Sequence, residues 1–86
     1  MSGQVRVRVL YFAAVRDLVG IAEEDLALPA GVRSAADLIG HLERLRPELA
    51  GRLDAVRVAV NEAFADGGLA LSEGDVVALI PPVAGG

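Results

Sequence analysis

The residues best suited to chemistry in this 86-residue chain are its last six, Pro81-Pro82-Val83-Ala84-Gly85-Gly86. Six extended residues span roughly 20 Å, which is enough to leave a domain and enter a pocket of another protein. The prolines favour an extended start, and the glycines, which lack a Cβ, let another backbone or a cofactor approach closely. The reactive group of such a tail would be the α-carboxylate of Gly86.

A carboxylate is a weak electrophile and must be activated before a nucleophile can attack it. Its conversion to a mixed anhydride with AMP, followed by displacement of AMP by a sulfur donor, would leave a C-terminal thiocarboxylate. These steps need an ATP-using partner but no catalytic side chain in this chain. A frayed terminus is the alternative, because chain ends are commonly disordered. The residues alone leave both interpretations open.

No set of side chains in the sequence could run a reaction alone. The single histidine, His41, is predicted to be a boundary surface residue of a helix. The absence of cysteine excludes thiolate metal sites and a cysteine nucleophile. The acidic run from Glu23 to Asp25 is predicted to be a solvated strand edge or a contact for a basic partner, and its spacing disfavours a metal site.

Composition limits the class of protein and its partners. Hydrophobic residues make up 53% of the chain, which excludes a disordered protein, and the net charge of −4 argues against nucleic acid as a partner. No apolar run approaches the roughly 18 residues that a membrane span needs, and the first residues do not match a secretory signal. We therefore expect a cytoplasmic protein that does not associate with membranes.

Hydrophobic periodicity predicts five strands and one main helix. The alternating run from Val5 to Val9 predicts the first strand. A Ser34–Asp37 capping box and Pro47 predict the ends of the helix. Its apolar stripe is expected to comprise Ala35, Leu38, Ile39, Leu42 and Leu45. Other strands are predicted within residues 23–29, 55–61, 62–66 and 76–80, and short helical segments within residues 13–20 and 47–53.

For three residues after the first strand, the sequence predicts burial or exposure but no chemical role. Tyr11 and Phe12 are predicted to be core residues. Arg16 follows Phe12 by about one helical turn and is predicted to be a surface cation or a contact for a partner.

The last predicted strand, residues 76–80, is apolar at every position, which is typical of a central strand covered on both faces. One amphipathic helix covers only one face of a small sheet, so the element order predicts an α+β fold with the main helix on one face. The second face would be closed by a short segment such as residues 13–20, or would stay partly apolar for a partner. Residues 1–80 would form the domain and residues 81–86 the carrier tail.

The chain resembles the small subunits of molybdopterin synthase, which are ubiquitin-like sulfur carriers, over essentially its whole length. The resemblance rests on "VLYFAAVRDLVG" at residues 9–20, "AVN" at residues 59–61 and "LSEGDVVALIPPVAGG" at residues 71–86. It implies a β-grasp fold, with a mixed sheet of order 2-1-5-3-4 around one main helix and a central final strand.

The same resemblance implies a function for the tail. An adenylating enzyme related to ubiquitin activators would use ATP to adenylate Gly86, and a sulfurtransferase would supply the sulfur. The thiocarboxylated tail, Pro81 to Gly86, would then insert into the large subunit of the synthase and donate sulfur to the pyranopterin precursor of the molybdenum cofactor. The active complex would be a heterotetramer. The chain itself would bind no cofactor or metal and would not be catalytic alone.

Three other functions stay open. A related carrier could serve thiamine synthesis, cysteine synthesis or tRNA thiolation. A ubiquitin-like modifier would join Gly86 to a lysine of another protein, although this chain has no lysine and cannot build lysine-linked chains on itself. A plain interaction domain would carry an inert tail.

Overall fold

A computed structural model describes residues 4–82 of the chain, so the tail residues Val83 to Gly86 lie outside the described part. The strands are β1 (Arg6–Tyr11), β2 (Glu23–Ala27), β3 (Arg57–Val60), β4 (Ala63–Ala65) and β5 (Val76–Ile80). The helices are α1 (Ala13–Val19) and α2 (Ala35–Leu45), followed by a 3₁₀ turn (Pro47–Leu49). The strands form one sheet of order β2-β1-β5-β3-β4. β1 and β5 are parallel and the other neighbours antiparallel, which confirms the α+β class and the predicted mixed sheet.

Helix α2 begins at the predicted capping box. The Asp37 backbone N–H donates to Ser34 Oγ at 3.2 Å, and Asp37 Oδ2 accepts from the Ser34 backbone N–H at 3.2 Å. These bonds satisfy two donors that the first helical turn leaves without partners. The helix ends at Leu45, two residues before Pro47, which disfavours helical geometry in the residue before it. Both predicted ends are thus confirmed.

The predicted apolar stripe of α2 is one position too long. Ala35, Leu38 and Leu42 are buried, whereas Leu45 is 49% exposed. The reason is that the chain turns at the end of α2 into the 3₁₀ turn, whose Leu49 is fully buried in the core. The core therefore continues through that turn rather than through the last turn of the helix.

The helices cover one face of the sheet. Side chains alternate along a strand, so Val7 and Val9 of β1 share a face with Val77 and Leu79 of β5. These residues form one hydrophobic cluster with residues of all three helical segments, namely Val15, Leu38, Leu42 and Leu49. Residues 13–20 therefore pack on the same face as the main helix and do not close the second face. We call that second, uncovered side of the sheet the open face.

Candidate functional site

The predicted tail begins where the central strand ends. Ile80, the last residue of β5, pairs with Arg57 of β3, and the preceding Leu79 pairs with Tyr11 of β1. Pro81 and Pro82 follow, and neither has the N–H that would extend the sheet. The chain thus leaves the sheet between the end of β1 and the start of β3. The predicted sulfur-bearing residue, Gly86, and residues 83–85 lie beyond the described part.

An apolar cleft of about 560 Å³ lies on the open face beside this exit. Its lining includes Leu10, Phe12, Ala59, Phe64, Ala78 and Ile80. Phe64 and Phe12 are 59% and 43% exposed. Large side chains that stay this exposed around a concave surface are typical of an interaction site. The second face of the sheet therefore stays partly apolar, which was one of the two predicted alternatives.

The prediction that Phe12 is a core residue is wrong, while Tyr11 is buried as predicted. Phe12 has an extended backbone and directly continues the alternation of β1, in which Val7, Val9 and Tyr11 face the helices. The next side chain must therefore face the opposite side of the sheet. The alternation of β1 contained this signal, because it places Phe12 on the same side as Leu10.

The Arg57 side chain provides a positive charge beside the cleft. It lies close to Pro81, the start of the predicted tail, which we call the tail root. The guanidinium carbon of Arg57 lies 3.9 Å from the centroid of the Phe64 ring, a favourable cation–π geometry. Arg57 and Ala59 share the open face, since Val58 and Val60 pair with the inward-facing Leu79 and Val77. A partner that bound the cleft would therefore meet a positive charge next to the point where the chain leaves the sheet.

Comparison with known proteins decides the family. The sequence pattern that defines the ThiS family matches residues 9–86. The chain belongs to the ThiS family. The molybdopterin synthase sulfur carrier subunit of Aedes aegypti is 39% identical to this ThiS-family chain, in a match that covers 95% of the chain and 90% of the relative. The resemblance seen in the sequence is thereby confirmed.

Solved structures agree with this membership and with a ubiquitin-like β-grasp fold. Small archaeal modifier protein 1 of Haloferax volcanii is 27% identical with a TM-score of 0.82, and the match covers 94% of this chain and 99% of that one. A chain from the complex of subunits 1 and 2 of the Helicobacter pylori molybdopterin-converting factor is 28% identical with a TM-score of 0.66, and the match covers 95% and 100%.

In this ThiS-family chain the acidic run on β2 divides between the two faces of the sheet. Glu23 and Asp25 are exposed on the open face and bind Arg8, with N···O distances of 3.3 and 2.9 Å. Glu24 faces the helices and accepts hydrogen bonds from Arg46 Nε at 2.9 Å and Arg46 Nη2 at 2.6 Å. The Tyr11 hydroxyl also donates to Glu24. The predicted solvated edge is therefore right for Glu23 and Asp25 and wrong for Glu24.

The Tyr11–Glu24–Arg46 cluster joins β1, β2 and the end of α2, and its groups satisfy one another. Burial alone would raise the pKa of Glu24, but hydrogen bonds from Arg46 and Tyr11 outweigh burial and lower it. Burial, together with the hydrogen bond to Glu24, raises the pKa of Tyr11 well above its ordinary value. The cluster lies on the face opposite the cleft, so we interpret it as a set of contacts that stabilises the fold and not as an acid–base pair.

Replacement of Glu24 by Gln is expected to lower the free energy of unfolding at pH 7 by about 2 kcal/mol, because it leaves the half-buried Arg46 guanidinium without its charge partner. A carboxylate with a lowered pKa in the folded state stabilises the fold above its unfolded pKa, and this contribution disappears as the pH falls through the folded pKa. Urea denaturation should thus show the parent and E24Q chains converging below about pH 4.5.

The matched control for E24Q is Glu23→Gln, one residue away on the open face. Both side chains of the Arg8–Glu23 pair are about half exposed, so this change should cost no more than about 0.5 kcal/mol. Equal losses of stability in E23Q and E24Q, or a loss in E24Q that does not change with pH, would contradict a stabilising role for the Tyr11–Glu24–Arg46 cluster.

Asn61 has a structural role that no sequence pattern predicts, although it is part of the resemblance at residues 59–61. It and Glu62 form the two-residue turn between β3 and β4, with φ angles of 51° and 72°. Asn61 Oδ1 accepts from the Val76 N–H at 3.0 Å, and Asn61 Nδ2 donates to Asp75 Oδ1 at 2.9 Å. Asn61 therefore fixes the start of β5, at the end opposite the tail.

The described part of this ThiS-family chain offers little for other chemistry. Within residues 4–82 no group of three or more acidic, histidine or cysteine side chains is arranged to hold a metal ion. His41 is half-buried on α2, in agreement with its predicted boundary position. No helix in the same range combines the length and the apolar character that crossing a membrane requires.

Proposed function

We propose that the chain is the sulfur carrier of a molybdopterin synthase and that Gly86 is the residue that carries sulfur. An ATP-using enzyme joins the Gly86 carboxylate to AMP and releases pyrophosphate. A sulfurtransferase then supplies sulfur at the oxidation level of sulfide, which attacks the acyl carbon, displaces AMP and leaves a thiocarboxylate. The tail from Pro81 to Gly86 delivers this sulfur to a pyranopterin precursor bound in the large subunit of the synthase.

The observation that carries the proposal is the position of the tail root next to the uncovered apolar cleft. Pro81 follows Ile80, and Ile80 itself lines the cleft. A partner that binds the cleft therefore receives the tail at a fixed point, and the six residues beyond Ile80 can reach roughly 20 Å into its interior. Such an arrangement places all the chemistry in the tail and the partner.

The relatives support this partner. A chain of the complex between subunits 1 and 2 of the Helicobacter pylori molybdopterin-converting factor is similar to this one. By analogy, the open face would contact a large subunit. Two small and two large subunits would form the heterotetramer.

The proposal is tested by the intact mass of the protein after incubation with ATP, an adenylating enzyme and a sulfur source. We expect the mass to rise by the difference between a sulfur and an oxygen atom, and fragmentation to place the change at Gly86. An unchanged mass, with an adenylating enzyme that activates a known carrier in the same mixture, would exclude the proposal.

A ubiquitin-like modifier is the second candidate, because small archaeal modifier protein 1 of Haloferax volcanii has a closely similar fold. In that case the activated Gly86 would form an isopeptide bond with a lysine of another protein. Covalent species of high mass in cell extracts, which disappear when Gly86 is deleted, would favour the modifier. Their absence, together with the mass increase above, would favour the carrier.

A further inference from the structure

The open face carries balanced charge, although the whole chain has a net charge of −4. Alternation along the strands, together with the turn between β3 and β4, places three arginines and three carboxylates on this face. They are Arg6, Arg8 and Arg57, and Glu23, Asp25 and Glu62. Because opposite charges are equal in number here, two copies of the chain can bring their open faces together with little of the repulsion that their net charges cause.

Two exposed charges of opposite sign, Arg57 and Glu62, lie beside the cleft. The ion pairs within residues 4–82 involve neither of them. Glu62 lines the cleft, and the Arg57 guanidinium lies over the ring of Phe64, which also lines it. Both charges are therefore available to groups of another molecule that binds there.

These two charges lie at opposite ends of the cleft. Arg57 pairs with Ile80 at the tail root, whereas Glu62 follows the end of β3, where Val60 pairs with Val77. Between these ends a row of open-face residues crosses β1, β5, β3 and β4. We call it the middle row, and it comprises Leu10, Ala78, Ala59 and Phe64. The cleft therefore has a positive end, an apolar middle and a negative end.

This order is self-complementary under twofold symmetry. A twofold axis that runs along the middle row, between two facing sheets, exchanges the two ends of the cleft. Arg57 of each copy then faces Glu62 of the other, Ile80 faces Val76, and the exposed Phe64 rings meet near the axis. Facing sheets lie about 10 Å apart, a gap that an arginine and a glutamate side chain can bridge together. Because the contact is isologous, the ion pair forms twice.

We propose that two copies of the chain associate through their open faces around this axis, with an Arg57–Glu62 ion pair on each side of the middle row. The patch spans four strands and the five residues of β5, roughly 15 Å by 17 Å. It is smaller than the roughly 800 Å² per partner of a standard stable interface, so the dimer is weak, with a Kd on the order of 100 μM.

The dimer covers the face that the proposed large subunit uses, so self-association and binding of that subunit exclude each other. This consequence rests on the proposed function, whereas the self-association does not. The experiment therefore uses the chain alone, and its outcome is independent of sulfur transfer.

Sedimentation velocity of the full chain tests the association at concentrations from about 10 μM to about 1 mM, which bracket the expected Kd. We expect the parent chain to shift from monomer to dimer across this range. Arg57→Glu and Glu62→Arg each turn both attractive contacts into repulsive ones, so either variant alone should dimerise on the order of tenfold more weakly. Their equimolar mixture should dimerise about as tightly as the parent chain, because one variant carries a carboxylate at both positions and the other a guanidinium at both.

The matched control is Arg6→Glu, which changes the net charge as R57E does, on the same face but beyond the start of β5. It should alter the Kd by no more than about twofold, since the distant charge is screened by salt. Circular dichroism checks the fold of each variant. If a single variant does not fold, the double variant R57E/E62R replaces it: this chain should dimerise with itself but not with the parent chain, because both contacts of the mixed dimer are then repulsive.

The inference is overturned if the parent chain stays monomeric up to about 1 mM, or if the single variants associate as tightly as the parent chain. It is also overturned if mixing them restores no association, if R6E weakens association as much as R57E, or if R57E/E62R dimerises with the parent chain as readily as with itself.

Discussion

Deletion of Gly86 is expected to abolish sulfur transfer, by at least about 100-fold, while the free energy of unfolding changes by less than about 0.5 kcal/mol. The deletion moves the terminal carboxylate back by roughly 3.5 Å, and misplacement of a reacting group by even 1 Å can cost about 100-fold in rate. The fold should be unaffected, because every buried core residue within residues 4–82, the described part, lies before Pro81. Thiocarboxylate formation and urea denaturation measure the two quantities.

A variant of unchanged length distinguishes the effect of tail length from the effect of the missing Cβ at residue 86. Gly86→Ala keeps the position of the carboxylate but adds a Cβ, which a narrow channel would reject. If transfer survives in G86A and is lost in the deletion, the length of the tail matters more than its narrowness. If the deletion instead unfolds the domain, residues 81–86 are structural, and if the deletion transfers sulfur normally, another group carries it.

The sequence predicted the elements better than their arrangement. The capping box at Ser34, the strand beginning near Val5 and the double-sided apolar character of β5 are local patterns, and local backbone preferences decide them. The sheet order 2-1-5-3-4 came only from the resemblance, because strand pairing depends on contacts between distant residues. Periodicity alone would have left the position of β5 between β1 and β3 as one arrangement among several.

The wrong predictions have different causes. The alternation of β1 already puts Phe12 on the side opposite Tyr11, so a core position for Phe12 contradicts the pattern itself. An acidic run of three residues does not show which of its members faces the helices, so the sequence predicts that Glu24 is solvated like its neighbours. The partner of Glu24, Arg46, is 22 residues away in the sequence, so no local pattern connects the two.

The candidate site was only partly predictable for the same reason. The proline and glycine composition of residues 81–86 indicated the tail directly. The cleft depends on the register of β3, β4 and β5, in which Phe64 pairs with Ala59 and Ala59 with Ala78. Arg57 contacts Phe64 because of the tight turn at Asn61, and its place at the tail root was therefore visible only in the fold.

Replacement of Phe64 by Ser is expected to weaken binding to the proposed large subunit by about 2–3 kcal/mol, which is on the order of 30- to 150-fold in Kd. An exposed aromatic that lines an apolar cleft is the type of residue that often dominates binding energy in protein interfaces. Because the ring is already 59% exposed in the free chain, its loss should cost the fold little beyond the contact with Arg57, about 0.5–1 kcal/mol. Titration calorimetry with the large subunit measures the affinity.

The control must remove an apolar side chain of similar exposure away from the cleft, because the removal of any exposed apolar side chain lowers nonspecific association. Leu45 is 49% exposed at the end of α2, on the helix side of the sheet, so Leu45→Ser changes a comparable surface away from the cleft. We expect L45S to bind as the parent chain does. Equal weakening in both variants would mean that the partner does not use the open face, and normal binding of F64S would mean that the tail alone carries recognition. Only selective weakening in F64S supports a partner that binds the cleft and thereby receives the tail at a fixed point.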